Sequence, residues 1–179
     1  MNTLKKAQLI VSGVLVLLTL SGCARAPDGV TPVTEFELER YLGTWYEIAR
    51  LDHRFERGLS RVTADYGMRT DSGVRVVNRG FDDASGEWQE ATGKAYFVGK
   101  SDVGQLQVSF FGPFYGGYNI VALDKAGYRY SLVAGPSRKY LWILSRTPQM
   151  DQEALDRLVG IAADLDFATD ELIFVEQDE

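Results

Sequence analysis

Nucleophiles and metal ligands are scarce in this chain. Its 179 residues include one cysteine, Cys23, and one histidine, His53. A lone thiol closes no disulfide within the chain, and one histidine builds no multi-histidine zinc site. A Ser–His pair through His53 stays formally open, yet no Gly-x-Ser-x-Gly elbow, Walker A loop or dinucleotide fingerprint occurs. Basic charge is in deficit too, with 19 Lys+Arg against 25 Asp+Glu and a net charge of −6. With no basic stripe to displace counterions from phosphates, nucleic acid is excluded as a partner. The same deficit argues against electrostatic adhesion to anionic lipid head groups. The apolar run Leu9 to Leu20 is shorter than the roughly 20 residues a membrane-spanning helix needs. These absences favour binding over catalysis, without a metal or cofactor.

What is present begins with a leader. Lys5 and Lys6 precede the apolar run, which ends in Leu20-Ser21-Gly22-Cys23. A positive start, a short apolar stretch and small residues before a cut are the parts of a secretory signal. Leu-Ser-Gly-Cys is similar to the sequences at which bacterial signal peptidases cut before a cysteine that becomes acylated. Residues 1–22 are therefore read as a lipoprotein signal peptide. Cys23 becomes the mature N-terminus, with a diacylglyceryl thioether and an N-acyl chain such as palmitate. Several acyl chains on one residue give stable anchoring where one does not. The leader carries no acid, so its removal leaves the remainder more acidic still. Residues 23–34, with Pro27, Gly29 and Pro32 among small polar side chains, read as the lipidated N-terminus and a tether. Residues 35–179 are expected to form one domain.

Within that domain, short strands alternate with tight turns. Glu35 to Leu42 has room for one helical turn before a first strand at Thr44 to Leu51. Val62, Ala64, Tyr66 and Met68 alternate with Arg61, Thr63 and Asp65, the period of a half-buried strand. Leu106, Val108 and Phe110 alternate in the same way. Turn clusters at Asp71-Ser72-Gly73, Asp82 to Gly86, Gly112-Pro113, Gly116-Gly117, Asp124 to Gly127 and Gly135-Pro136 separate the strands. Eight strands in sequential order point to an all-β antiparallel up-and-down barrel. Eight is also the strand number whose closed barrel holds one small ligand. One helix follows, capped by Asp151, with Leu155, Leu158, Val159 and Ala162 at helical spacing for packing outside the barrel. Leu172 to Val175 reads as a short final strand.

Several strings carry a family resemblance. Gly43-Thr44-Trp45-Tyr46-Glu47 is similar to the Gly-x-Trp motif of lipocalins, and Ile143-Leu144-Ser145-Arg146 resembles that family's third conserved region. The longer strings Tyr41 to Leu59, Val108 to Asp124 and Tyr140 to Pro148 resemble the bacterial lipoprotein members, relatives of apolipoprotein D. The likeness runs from about residue 34 to residue 176. It implies an eight-stranded calyx that binds fatty acids or lysophospholipids in storage, transport or repair of envelope lipids. It also implies anchoring on the periplasmic side of the outer membrane. Ala24 agrees, since aspartate at that position commonly signals retention in the inner membrane. Bacterial members have been associated with dimers, so a homodimer is an expectation that no residue of this chain supports.

Candidate roles follow. In the family, the pair formed here by Trp45 and Arg146 plugs the closed end of the barrel; a ligand head-group site is the alternative. Strand parity sends Glu47 and Ala49 inward with Trp45, and Leu144 and Trp142 inward with Arg146. Together with Val62, Ala64, Tyr66, Met68, Leu106, Val108 and Phe110 they form the expected pocket wall. Glu47 is either a paired structural acid or a partner for a polar ligand group. Small residues at Ala49, Ala64, Ala91, Gly93 and Ala95 leave room if they face in; otherwise the barrel is filled. His53, Arg54 and Arg57 lie in the loop over the expected mouth. Arg54 and Arg57 could meet a phosphate or carboxylate, or simply pair with Asp52 and Glu56. Two rival functions stand beside the carrier: an interaction scaffold displaying Phe110 to Gly117, and a lipid hydrolase using His53.

Overall fold

The computed structural model describes residues 25–178. The leader, Cys23 and Ala24 lie outside the described residues. Eight strands form a meander: β1 (Gly43–Arg50), β2 (Leu59–Met68), β3 (Val74–Asp82), β4 (Glu87–Phe97), β5 (Gln105–Phe111), β6 (Phe114–Leu123), β7 (Tyr130–Ala134) and β8 (Leu141–Ser145). Each pairs antiparallel with the next, and β1 pairs with both β2 and β8, so the sheet closes on itself. The two-residue β9 (Ile173–Phe174) joins β1 at Ala49 and Arg50. The eight-stranded barrel, outer helix and final strand expected from the turn spacing are all present.

Helix α2 (Gln152–Asp164) starts where Asp151 accepts a hydrogen bond from the Ala154 amide at 3.1 Å. Ala154, Leu158 and Ala162, four residues apart, are its buried positions. They join Ala49, Leu132, Leu141 and Ile143 in an apolar layer on the outside of β1, β7 and β8. A second apolar cluster, inside the barrel, contains Trp45, Tyr66, Val74, Val76, Ala95, Leu106 and Leu144. The two clusters are the two faces of one sheet, which is what period-2 alternation requires.

Three segments depart from the sequence pattern. Gly116-Gly117 does not interrupt β6, because both residues pair with β5, at Val108 and Gln107. Tyr128 stands in a turn at φ +53, so β7 begins at Tyr130. The tether reading of residues 23–34 fails over residues 26–34, which are docked on the barrel. Val30 is buried in the outer layer, and the Val33 amide donates to the Ile120 carbonyl at 2.8 Å. Thr34 bridges to Val103. A Cβ at Gly104 would come within 2.9 Å of Val33, so the missing side chain lets this segment lie flat. Two valines among the prolines supply the apolar grip that composition alone concealed.

One end of the barrel is sealed. The short helix α1 (Leu38–Tyr41) crosses it, and Gly43, at φ +89, turns the chain into β1. Trp45 is fully buried, its indole donating to the Tyr41 carbonyl at 2.8 Å. The Arg146 guanidinium lies 4.0 Å from the Trp45 ring centroid. It donates to the carbonyls of Arg40 at 2.7 Å, Thr44 at 2.9 Å and Tyr128 at 3.3 Å. Arg146 thus ties α1, β1 and the β6–β7 loop together. Above this plug the hydroxyls of Tyr66, Tyr118 and Tyr41 form a chain, at 2.8 and 2.9 Å, that reaches Ser131.

Two predictions follow from the sealed end. Arg146→Ala removes the cation–π contact and three carbonyl bonds, so stability falls by about 2–4 kcal/mol. Urea unfolding checks this, and an unchanged midpoint would refute the plug. The second concerns alkali. Burial, opposed by hydrogen bonds to Ser131 and Tyr118, pushes the Tyr41 hydroxyl up to about 12, and burial holds Tyr66 and Tyr118 well above 10. The folded protein keeps protons that the unfolded chain releases near pH ~10. Their stabilisation is therefore complete below that pH and is lost as pH climbs toward the folded values. In an absorbance titration, three of the nine tyrosines should ionise only as the fold is lost. Nine ionising together near pH ~10 in folded protein would contradict the buried chain of hydroxyls.

Candidate ligand cavity

The other end of the barrel is open. In an antiparallel meander the β1–β2, β3–β4, β5–β6 and β7–β8 loops share one end, opposite α1. Between this mouth and the tyrosines lies a cavity. Its void is about 100 Å³, room for on the order of a few waters, so a hydrocarbon chain entering it is only partly enclosed. The wall is apolar apart from a few groups, with Val74, Val76, Ala95, Leu106, Val108 and Leu144 along its length.

Of the eleven wall residues expected from parity, Glu47, Val62, Ala64, Tyr66, Leu106, Val108, Phe110, Trp142 and Leu144 line this cavity. Ala49 and Met68 do not. Pairing of β1 with β8 slips between Glu47 and Ala49, so a bulge inverts parity there. Ala49 turns outward beneath α2, and Arg50 is buried beside Glu47 instead. Met68 ends β2 at the sealed end and is 52% exposed, beyond the reach of the cavity. Among the small residues, Ala64 and Ala95 face the cavity. Gly93 gives its space to the Phe110 ring, which a Cβ there would meet at 2.8 Å. Ala91 is exposed.

Near the mouth sits a buried polar group that the sequence only partly disclosed. Arg50 donates to Glu47 Oε1 at 2.7 Å and to the carbonyls of Glu56 and Leu59 at 2.8 and 3.1 Å. Trp142 donates to Glu56 Oε2 at 2.9 Å, and His53 Nε2 lies 3.0 Å from the same oxygen. Burial, reinforced by the Glu56 carboxylate, pushes the Glu47 carboxyl well above the usual range despite Arg50. Burial acts to raise Glu56 as well, but His53, Trp142 and a hydrogen bond from the Glu47 carboxyl outweigh it and hold that carboxyl low. Glu47 is thus both a paired acid and part of the wall. Glu56, read only as a loop counter-ion, is a wall residue too.

The three expected head-group residues separate. His53 is buried between Phe55, Tyr140 and Trp142 and turned to Glu56. Arg54 lies exposed over the Phe55 ring, 4.9 Å from its centroid. Arg57 forks onto Asp52, at 3.0 Å and 2.6 Å. None of the three lines the cavity. Asn78, Val74, Val76, Tyr41 and Tyr118 are wall residues that the sequence reading missed. Alternation within β3 could have found the first three.

Comparison with known proteins agrees with this geometry. Residues 36–177 match the model of a lipocalin-like domain. The outer membrane lipoprotein Blc of Vibrio cholerae is 52% identical over 164 residues, which cover 92% of this chain and 96% of that protein. Its namesake in Escherichia coli K12 is 54% identical over 151 residues, 84% and 85% of the two chains. Among solved structures, insecticyanin from the tobacco hornworm Manduca sexta superposes with a TM-score of 0.70 at 22% identity, covering 88% of each chain. Relatives this similar over nearly the whole chain place the protein at the outer membrane as a lipoprotein. With its sealed barrel and the apolar cavity inside it, the chain belongs to the lipocalin family, which is made of binding proteins rather than enzymes.

Proposed function

We propose that the barrel carries fatty acids or lysophospholipids, for storage, transport or repair of envelope lipids, while an acylated Cys23 holds it to the membrane. The observation that carries this reading is the closed barrel with an apolar cavity open at one end. Each acyl CH₂ entering it contributes about 0.8 kcal/mol, so a chain that is only partly enclosed still binds. The candidate contacts are the nine wall residues that parity identified, with Glu56 and Asn78. His53, Arg54 and Arg57 act at most from the rim. A hydrolase using His53 is set aside, because the family binds rather than turns over its ligands.

A second copy of this chain is the partner we propose for the mouth. Phe111 and Phe114, 70% and 79% exposed, sit at the tip of the β5–β6 hairpin. Phe55 and Trp88, at the same end, are about half exposed. Such apolar surface commonly marks an interaction site, and pairing two mouths would cover it.

Two measurements test these readings. Delipidated soluble protein, exposed to palmitate or lysophospholipid and weighed by native mass spectrometry, should gain one ligand mass. Val108→Trp should keep the fold and lose that increment. No increment with wild type would remove the carrier, and full binding by Val108→Trp would place the ligand elsewhere. For the dimer, the double variant Phe111→Ser, Phe114→Ser should sediment as a monomer where wild type does not. Monomeric wild type at high concentration would end that reading.

A further inference from the structure

One seam of the barrel is completed by a segment outside the eight-strand meander. β1 and β2 pair only where Gly43 to Tyr46 meets Thr63 to Tyr66. Toward the mouth the C-terminal tail, residues 173–178, lies between them. The Val175 amide donates to the Ile48 carbonyl at 2.9 Å, and the Arg61 amide donates to the Glu176 carbonyl at 2.7 Å. The Gln177 side chain spans the seam, its amide nitrogen donating to the carbonyls of Glu47 at 2.8 Å and Val62 at 2.9 Å. β2 is shaped to receive this tail. Its pairing with β3 slips between Ser60 and Thr63, a bulge that leaves the Arg61 amide and Val62 carbonyl for the tail. Arg61 stands there at φ +51, a backbone conformation that residues with side chains seldom adopt.

Behind the seam lies the cavity. Glu47 on one bank and Val62 and Thr63 on the other all line its wall. The tail itself is lightly held. None of residues 173–178 is buried, and Ile173 and Phe174 are 39% and 61% exposed. Hydrogen bonds rather than buried apolar surface fasten it. Segments of this kind open at a free energy well below that of the whole fold, and binding-site lids are drawn from them. Arg61 is not stranded when the tail leaves. Its guanidinium gives up Asp178, 3.5 Å away, and keeps the Phe81 ring at 3.9 Å and Asp83 at 3.7 Å. A cavity whose void is about 100 Å³ holds little of an acyl chain while its wall stays shut. Parting the tail from β2 opens that wall from the side.

We propose that residues 173–178 are a side gate to the cavity, latched by Gln177, through which an acyl chain passes between β1 and β2. The inference rests on the carrier reading and gives its ligand a route. Lids set the rates of entry and release. A latch that acts only on the passage changes both rates alike and leaves their ratio, the affinity, where it was.

The test uses the delipidated soluble protein and cis-parinarate, a fluorescent fatty acid, followed by stopped flow. Gln177→Glu, which removes the donor at nearly constant shape, and deletion of residues 175–179 should each speed association and release at least about fivefold. The Kd should stay within about twofold of wild type. Unchanged rates in folded variants would send the ligand through the mouth and overturn the gate. Faster release with weakened affinity and unchanged association would make the tail a piece of wall instead. Hydrogen exchange on wild type tests the opening without any variant. The Arg61 amide should exchange at least about tenfold faster than the ladder amides of Ala64 and Tyr66, and equal protection of all three would also overturn the gate. Failure of wild type to bind cis-parinarate, palmitate or lysophospholipid would remove the carrier itself, and the gate with it.

Discussion

Everything in this molecule depends on β1 having a hydrogen-bonded neighbour on each side. Pairing with β2 along Gly43 to Tyr46, and with β8 from Tyr46 to Arg50, turns an eight-stranded ribbon into a tube with no free strand edge. β1 hands over from one partner to the other at Tyr46. Beyond that point, β1 and β2 diverge toward the mouth. The C-terminal tail fills the gap, Gln177 donating to the carbonyls of Glu47 and Val62 at 2.8 and 2.9 Å. Closure makes an inside, and that inside needs a floor and a door.

The floor and the polar station near the door follow different rules. At the floor every polar group is consumed within the protein: Arg146 on three carbonyls, Trp45 on one, the tyrosines on one another. Such satisfaction makes the end rigid and leaves nothing to offer a ligand. Near the mouth, Glu47, Arg50, Glu56 and His53 are as deeply buried, but their bonding is incomplete, and His53 Nδ1 and Arg50 Nε have no partner. Incomplete satisfaction in a buried network costs stability. Such costs recur at binding sites, where a ligand completes the set.

The fold was largely legible because alternation and turn chemistry are local. The turns at Asp71 to Gly73 and Asp82 to Gly86 and the cap at Asp151 each announce themselves within five residues. The plug was legible only through a resemblance, since nothing local ties Trp45 to Arg146, a hundred residues away. Parity failed at Ala49 because a bulge is set by pairing between strands, which no single strand encodes. Met68 kept its parity and missed the cavity because the sequence gives no height along the barrel axis. Glu56 was misjudged for a related reason. Nothing in the loop shows that it folds inward over the mouth and brings its acid to Trp142, which lies 86 residues on.

The docked N-terminal segment sets the length of a leash. With residues 26–34 held against the barrel, only Ala24 and Arg25 separate Cys23 from fixed chain. Fully extended, three residue steps span roughly 10 Å. If Cys23 is buried in a leaflet as proposed, the barrel cannot swing out into the periplasm. It rides at the membrane face, and any lipid it takes or gives up is exchanged with the leaflet beside it.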